Sequence, residues 1–207
     1  MDSQPECPLL HHQLDAPSEF TPEELVSAVR AARGLPDAAV PAICALDFDG
    51  DLTDWLVREG RATPFEPWAC FHTKMYFLEM DGARYGIIGR TIGGPYSVLI
   101  AEQLLVSGAR LILGLTSAGR VSPSLPLPSF VVVTSAVRDE GTSFHYLPPA
   151  KSVPSVTFAG GVWDAPTAGR NTSQILVLSA AKANIGACLV VTRRTAFAEP
   201  APGATRT

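Results

Sequence analysis

The sequence predicts an α/β protein with a largely parallel central sheet. Three observations carry this reading. Apolar, β-branched runs recur at residues 38–46, 109–115 and 130–133, as in strands covered on both faces. A helix-length apolar run at residues 97–106 separates two of them, so the order is strand, helix, strand, loop, strand. Finally, 207 residues with 46% hydrophobic and 17% charged side chains suffice for one domain with a substantial core.

Residues 1–20 mix proline, histidine and acids without periodicity and read as a loose arm, with His11 and His12 solvated. A helix follows: Thr21 is a good N-cap, Pro22 suits the first helical position, and Glu24 completes a capping box. Leu25, Ala28, Val29 and Ala32 form its apolar stripe, and Gly34 with Leu35-Pro36 stops it. Pro41 either weakens the strand at 38–46 or puts it at an edge. Residues 74–80 and 84–89 flank Asp81-Gly82, a hairpin signature. Glu102 and Gln103 give the helix at 97–106 one polar edge. Beyond Pro149, residues 153–163 hold a strand, residues 175–181 and 185–191 fit strand or helix, and the last residues read as a tail.

A net charge of −4 and the lack of a Lys/Arg run argue against nucleic-acid or anionic-membrane partners. Cys7, Cys44, Cys70 and Cys188 are scattered without metal-ligand spacing, so they read as free thiols in a reducing compartment, and no metal site is expected. The N-terminus lacks the basic start and apolar core of a secretory signal, and no run reaches membrane-spanning length, so the expected location is the cytoplasm.

Three polar segments follow predicted strands. Gly93-Gly94-Pro95 opens a helix, and the glycines and free N–H groups there suit an anion or a sugar hydroxyl. Thr116-Ser117-Ala118-Gly119 offers hydroxyls and amides of the kind that hold phosphate. The third, residues 138–146, gathers Arg138, Ser143, His145 and Tyr146. In an open α/β sheet these loops are expected side by side at the carboxyl ends of adjacent strands. Asp47, Asp49, Asp51 and Asp54 form a fourth cluster. LDFDGDLTD resembles the haloacid-dehalogenase phosphatase signature, in which Asp47 would be the nucleophile and Asp49 the acid/base, with Asp51 where that family has threonine. The other reading is an acidic turn capping the next helix.

A longer match is more specific. YFLEMDGARYGIIGRTIGGPYSVLIAEQLLVSGARLILGLTSAGRVSP resembles the core of the nucleoside phosphorylase family, which includes purine nucleoside and uridine phosphorylases. VVVTSAVRDEGTSFHYLPP is similar to the R-x-[DE]-G-[AT]-S-x-H-[FY]-x-P segment of its uridine-phosphorylase-like members, and residues 162–166 resemble a later strand. The resemblance implies a three-layer α/β/α fold with a central mixed, mostly parallel sheet. The domain would span residues 21–167, followed by a divergent or truncated C-terminal segment, 168–207. It also implies reversible phosphorolysis of a nucleoside by inorganic phosphate, no other cofactor, and a homo-oligomer; a non-catalytic nucleoside-binding module is the alternative.

By the same resemblance, Gly93, Gly94, Thr116 and Ser117 would hold phosphate, while Ile92, Arg138, Ser143, His145 and Asp164 would line the nucleoside site. The chain departs from the family where an arginine usually binds phosphate: Asp54 stands at one such position and Leu113 at another. The family's V-E-M-E segment, which supplies a ribose-binding glutamate, does not follow Pro166.

Overall fold

In the computed structural model, the described residues are 7–11, 13, 14, 16, 18–117, 133, 135–154, 176–179 and 192–193. Helix α1, Pro22–Arg33, begins with the expected capping box: the Thr21 hydroxyl accepts from the Glu24 amide, and Glu24 accepts from the Thr21 amide. Gly34 closes it in a left-handed conformation, φ 61°. Its buried positions are Val26 and Val29, with Leu25 partly buried. Ala28 and Ala32 face solvent, so the apolar stripe lies one residue from the expected line.

Strand β1, Ile43–Asp47, lies at the centre of the sheet. Pro41 therefore marks no edge; it sits ahead of the strand, where its missing N–H is not needed by the ladder. Helix α2 is Asp51–Arg58, and a short β2, Thr63–Pro64, precedes β3, Tyr76–Met80, and β4, Ala83–Gly89. β3 and β4 pair antiparallel around Asp81 (φ 52°) and Gly82 (φ 76°). Positive φ at both central residues is the two-residue turn that matches strand twist. Helix α3, Gly94–Val106, leads to β5, Leu111–Ser117. Strands β6, Ser135–Val137, and β7, Ser152–Pro154, form a separate antiparallel pair. β8, Leu176–Ser179, and β9, Thr192–Arg193, both pair with β5.

The main sheet runs β2-β3-β4-β1-β5-β8, with β9 also on β5. Its centre is parallel, β1 pairing in parallel with β4 and β5, and antiparallel pairs flank it. Alternation in β1 sorts the layers. Cys44 and Leu46 pack with Ile88, Ile112 and the α3 residues Ile100 and Leu104, while Ala45 packs with Ile87 and Leu56 of α2. Helix α1 covers α3 from outside, through Val26, Val29 and Val106. α3 is thus enclosed, and Gln103 is buried rather than part of a polar edge, its amide donating to the Leu99 carbonyl at 3.0 Å. The arrangement is the expected α/β/α sandwich with a mixed sheet.

The strand expected at 130–133 lies outside the described residues except for Val133, which is in no strand; β6, close after it, belongs to the two-stranded sheet. The segment at 175–181, open between strand and helix, contains β8. Cys44 is buried, and desolvation pushes its thiol up to about 12, consistent with an inert core residue. Among the described residues no helix is long and apolar enough to cross a membrane.

Gly89 ends β4 where β1, α2 and β4 meet. A Cβ there would lie 2.9 Å from Thr53 Oγ1 and 3.3 Å from Gly50 Cα. G89A is expected to cost about 1–3 kcal/mol through overpacking, read as a lowered denaturant midpoint; an unchanged midpoint would show that α2 is free to move off the strand.

Candidate functional site

Because β4, β1 and β5 are parallel neighbours, the segments after them emerge at one sheet edge. The middle one, Asp47 to Gly50, is the most constrained. Asp47 is 4% exposed, and its Oδ2 accepts the Thr53 amide at 2.7 Å and the Thr53 hydroxyl at 2.9 Å. Burial raises its pKa above the usual carboxylate range, opposed by hydrogen bonds from Thr53 and Gly50. Asp47 is thus an internal cap joining the strand end to α2, the acidic-turn reading of this cluster. A phosphatase nucleophile must reach phosphorus, and this carboxylate is enclosed and committed to Thr53. Among the described residues no acidic or thiol cluster suits a metal ion.

Asp49 turns the other way. Its Oδ2 accepts the Ser117 amide at 2.6 Å and the Thr116 hydroxyl at 3.3 Å, bridging the ends of β1 and β5. Those are two of the donors expected to hold phosphate, and here a carboxylate occupies them. On the β4 side, Gly93 is the N-cap of α3, with φ 104° and ψ 132°, a conformation that glycine adopts without a Cβ clash. The amide of Gly94 opens the helix, where N–H groups lack intrahelical partners. Ile92 beside it is 68% exposed.

The segment at 138–148 is organised around Arg138. Its side chain donates to the Ser143 hydroxyl at 2.8 Å, to the Leu147 carbonyl at 3.1 Å and to the Pro148 carbonyl, and it stacks on Phe144 at 4.2 Å. Arg138 is 7% exposed, so this guanidinium holds the loop together from within. Glu140 caps the short 3-10 turn Thr142–His145, accepting from the Ser143 amide at 3.0 Å and from its hydroxyl. Burial disfavours Glu140's charge, but those bonds, the Thr142 amide and Arg138 outweigh it and lower its pKa.

The loop reaches the main sheet through α3. The Tyr146 hydroxyl donates to Glu102 at 2.8 Å, and a Cβ on Gly94 would lie 3.6 Å from Thr142 Oγ1. The third loop therefore joins the α3 N-terminus from its own small sheet, not from a neighbouring strand of the main one. His145, in the same loop, is exposed. In the N-terminal arm, the turn Pro8–Leu10 approaches the same loop, with Leu9 close to Gly141. Asp164 lies outside the described residues.

Arg90 and Glu102 are site residues that the motifs did not single out. Arg90 directly follows β4, has φ 60°, donates its amide to the Asp47 carbonyl at 2.8 Å and forms a two-pronged ion pair with Asp54. Its available signal was position: a cation at the carboxyl end of a parallel strand, just ahead of a Gly-Gly turn. Beside it is a cavity of about 390 Å³, lined among others by Thr53, Asp54, Arg58, Lys74 and Tyr96.

No family model matches the chain. Over 70 residues it is 31% identical to uridine phosphorylase of Salmonella typhimurium, covering 34% of this chain and 28% of that protein. Over 89 residues it is 30% identical to uridine phosphorylase of Thermococcus kodakarensis, covering 43% of this chain and 31% of that protein. The matches thus span under a third of these relatives' lengths. Among solved structures, uridine phosphorylase from Vibrio fischeri gives a TM-score of 0.47 at 22% identity, covering 56% of this chain and 47% of that one.

Asp47's raised pKa sets a sign. Between the ordinary value of 3.8 and the raised folded value, the folded state binds more protons than the unfolded state, so stability falls as pH rises. Relative to D47N, wild-type stability is expected to fall with pH above 3.8 and level off once Asp47 is ionised. Unfolding curves at stepped pH read this, and a difference that grows with pH would reverse the assignment.

Proposed function

We propose that this chain, a relative of the nucleoside phosphorylases over about a third of its length, binds a nucleoside and inorganic phosphate at the shared carboxyl edge of β4, β1 and β5 and catalyses phosphorolysis there. The observation that supports it best is the meeting of three features at one edge: the Gly93-Gly94 start of α3, the Thr116-Ser117 end of β5, and the self-braced 138–148 loop. A phosphate oxygen attacks the anomeric carbon, and the C–N bond breaks with its electron pair leaving on the base. The products are ribose 1-phosphate and the free base, which takes up a proton.

Such a reaction needs phosphate fixed on one face and the sugar on the other, with charge placed where it develops. In this reading Gly93 and Gly94 present backbone to phosphate and ribose, and Thr116 and Ser117 turn their donors from Asp49 to phosphate. Ile92 lends an apolar contact, and Ser143 and His145 face the nucleoside from the loop that Arg138 braces. Asp164 stays a candidate by resemblance. The protein would act in the cytoplasm as a homo-oligomer, with phosphate as co-substrate and no further cofactor.

One observation favours a second reading, a nucleoside-binding module without turnover. Asp49 already occupies the Ser117 amide, and a dianion must displace that carboxylate. A nucleoside panel incubated with the full chain, with and without inorganic phosphate, separates the two. Phosphorolysis gives free base and ribose 1-phosphate only when phosphate is present. Nucleoside binding without product supports the module, and neither binding nor product overturns both.

A further inference from the structure

We propose that Arg90 is the residue that grips phosphate in this chain, with Asp54 as the counter-ion that holds it ready. The inference rests on the phosphorolysis reading above and names the cation of that site. A phosphate dianion held beside a cationic sugar calls for a guanidinium that forms two parallel hydrogen bonds. Arg138 is not available, because its donors are bound inside its own loop and its side chain is buried.

Arg90 differs on each count. Its side chain is 66% exposed, and its two terminal nitrogens each give one N–H to Asp54. A guanidinium carries five N–H donors, which leaves three for a ligand. An exposed pair of this kind contributes little stability, so an anion of higher charge can draw the arginine away cheaply. The Asp54 carboxylate, in turn, is held below its usual pKa by the hydrogen bond from Arg90.

The backbone also singles out this residue. Apart from the turn residue Asp81, Arg90 is the non-glycine with positive φ among the described residues, a conformation that costs roughly 1–2 kcal/mol. Its amide bond to the Asp47 carbonyl holds it there. Strain of this sort at the end of a strand marks positions where a side chain must be aimed. The aim is over Gly50: a Cβ there would lie 2.7 Å from Arg90 Cγ and 3.5 Å from Cζ. Gly50 follows β1, the strand between β4 and β5, so the Arg90 stem lies over the turn that leaves the middle strand of the three. The adjoining cavity adds Arg58 and Lys74, against Asp54 as its acid, and a cavity with that balance of charge concentrates anions.

The test uses the full chain with inorganic phosphate as probe, comparing wild type, R90A and R90K. Arg90 is exposed, and matching unfolding midpoints for R90K and wild type would certify the fold. R90A is expected to raise the KM for phosphate roughly ten- to hundred-fold, the loss of one charge-assisted contact, with nucleoside KM changed less than about two-fold; R90K falls between. Phosphorolysis with unchanged phosphate KM in R90A overturns the role of Arg90 and leaves the proposed reaction intact. A second readout works without turnover: thermal stabilisation by phosphate over chloride at equal ionic strength. Stabilisation present in wild type, lost in R90A and unaccompanied by phosphorolysis supports Arg90 and refutes the reaction. No stabilisation of the wild type, or equal stabilisation of R90A, overturns the Arg90 proposal.

Discussion

The structure depends on one buried carboxylate. Asp47 ends the central strand, and Thr53 satisfies it with an amide and a hydroxyl from the first turns of α2. Its main-chain carbonyl meanwhile accepts the Arg90 amide from the end of β4. One residue therefore ties a strand, the following helix and the neighbouring strand together. The turn between, Gly50 at φ 88°, has room for Arg90's stem only because it lacks a Cβ. Removing a partner from a buried charge costs more than the bond itself contributes, since the charge stays desolvated. The constraint is thus stiff, and everything placed from it inherits that stiffness.

The two arginines near the site illustrate how burial divides labour. Arg138 spends its donors on carbonyls and a hydroxyl within ten residues of itself, which folds a polar loop with little apolar support. Arg90 spends its donors on a single exposed carboxylate. The first arrangement is expensive to undo and suits a scaffold; the second exchanges partners easily and suits a ligand. Acidic groups follow the same division, with Asp47 enclosed and Asp49 placed at the rim on the Ser117 amide.

Local chemistry made much of the fold legible. Thr21 with Glu24 declared a helix start, Asp81-Gly82 a tight turn, and Gly93-Gly94-Pro95 a strand-to-helix junction, because each is settled by a few consecutive residues. What depended on distant partners was harder to read. Pro41 inside the apolar run 38–46 suggests an edge, whereas the strand itself begins at Ile43, beyond the proline, and is central. Gln103 looked like a polar rim until α1 covered α3. In DFDGDLTD the partner of Asp47, Thr53, lies within the motif, whereas Asp49 is fixed by Ser117 of β5, 68 residues away, which no local pattern reveals. Arg138 reads as a binding residue by type, and only its burial reveals the brace. The pairing of Arg90 has no local signature, because its partner is 36 residues away.

The central claim is that the carboxyl ends of β4, β1 and β5 form one phosphate-and-nucleoside site. Backbone amide resonances of the full chain, followed as inorganic phosphate and then a nucleoside are added, test it most directly. The account predicts that phosphate shifts the Ser117, Gly94 and Arg90 amides together with a single saturation curve, and that nucleoside then shifts residues of the 138–146 loop. Amides at this edge that stay unmoved by both, while the protein remains folded, would contradict it.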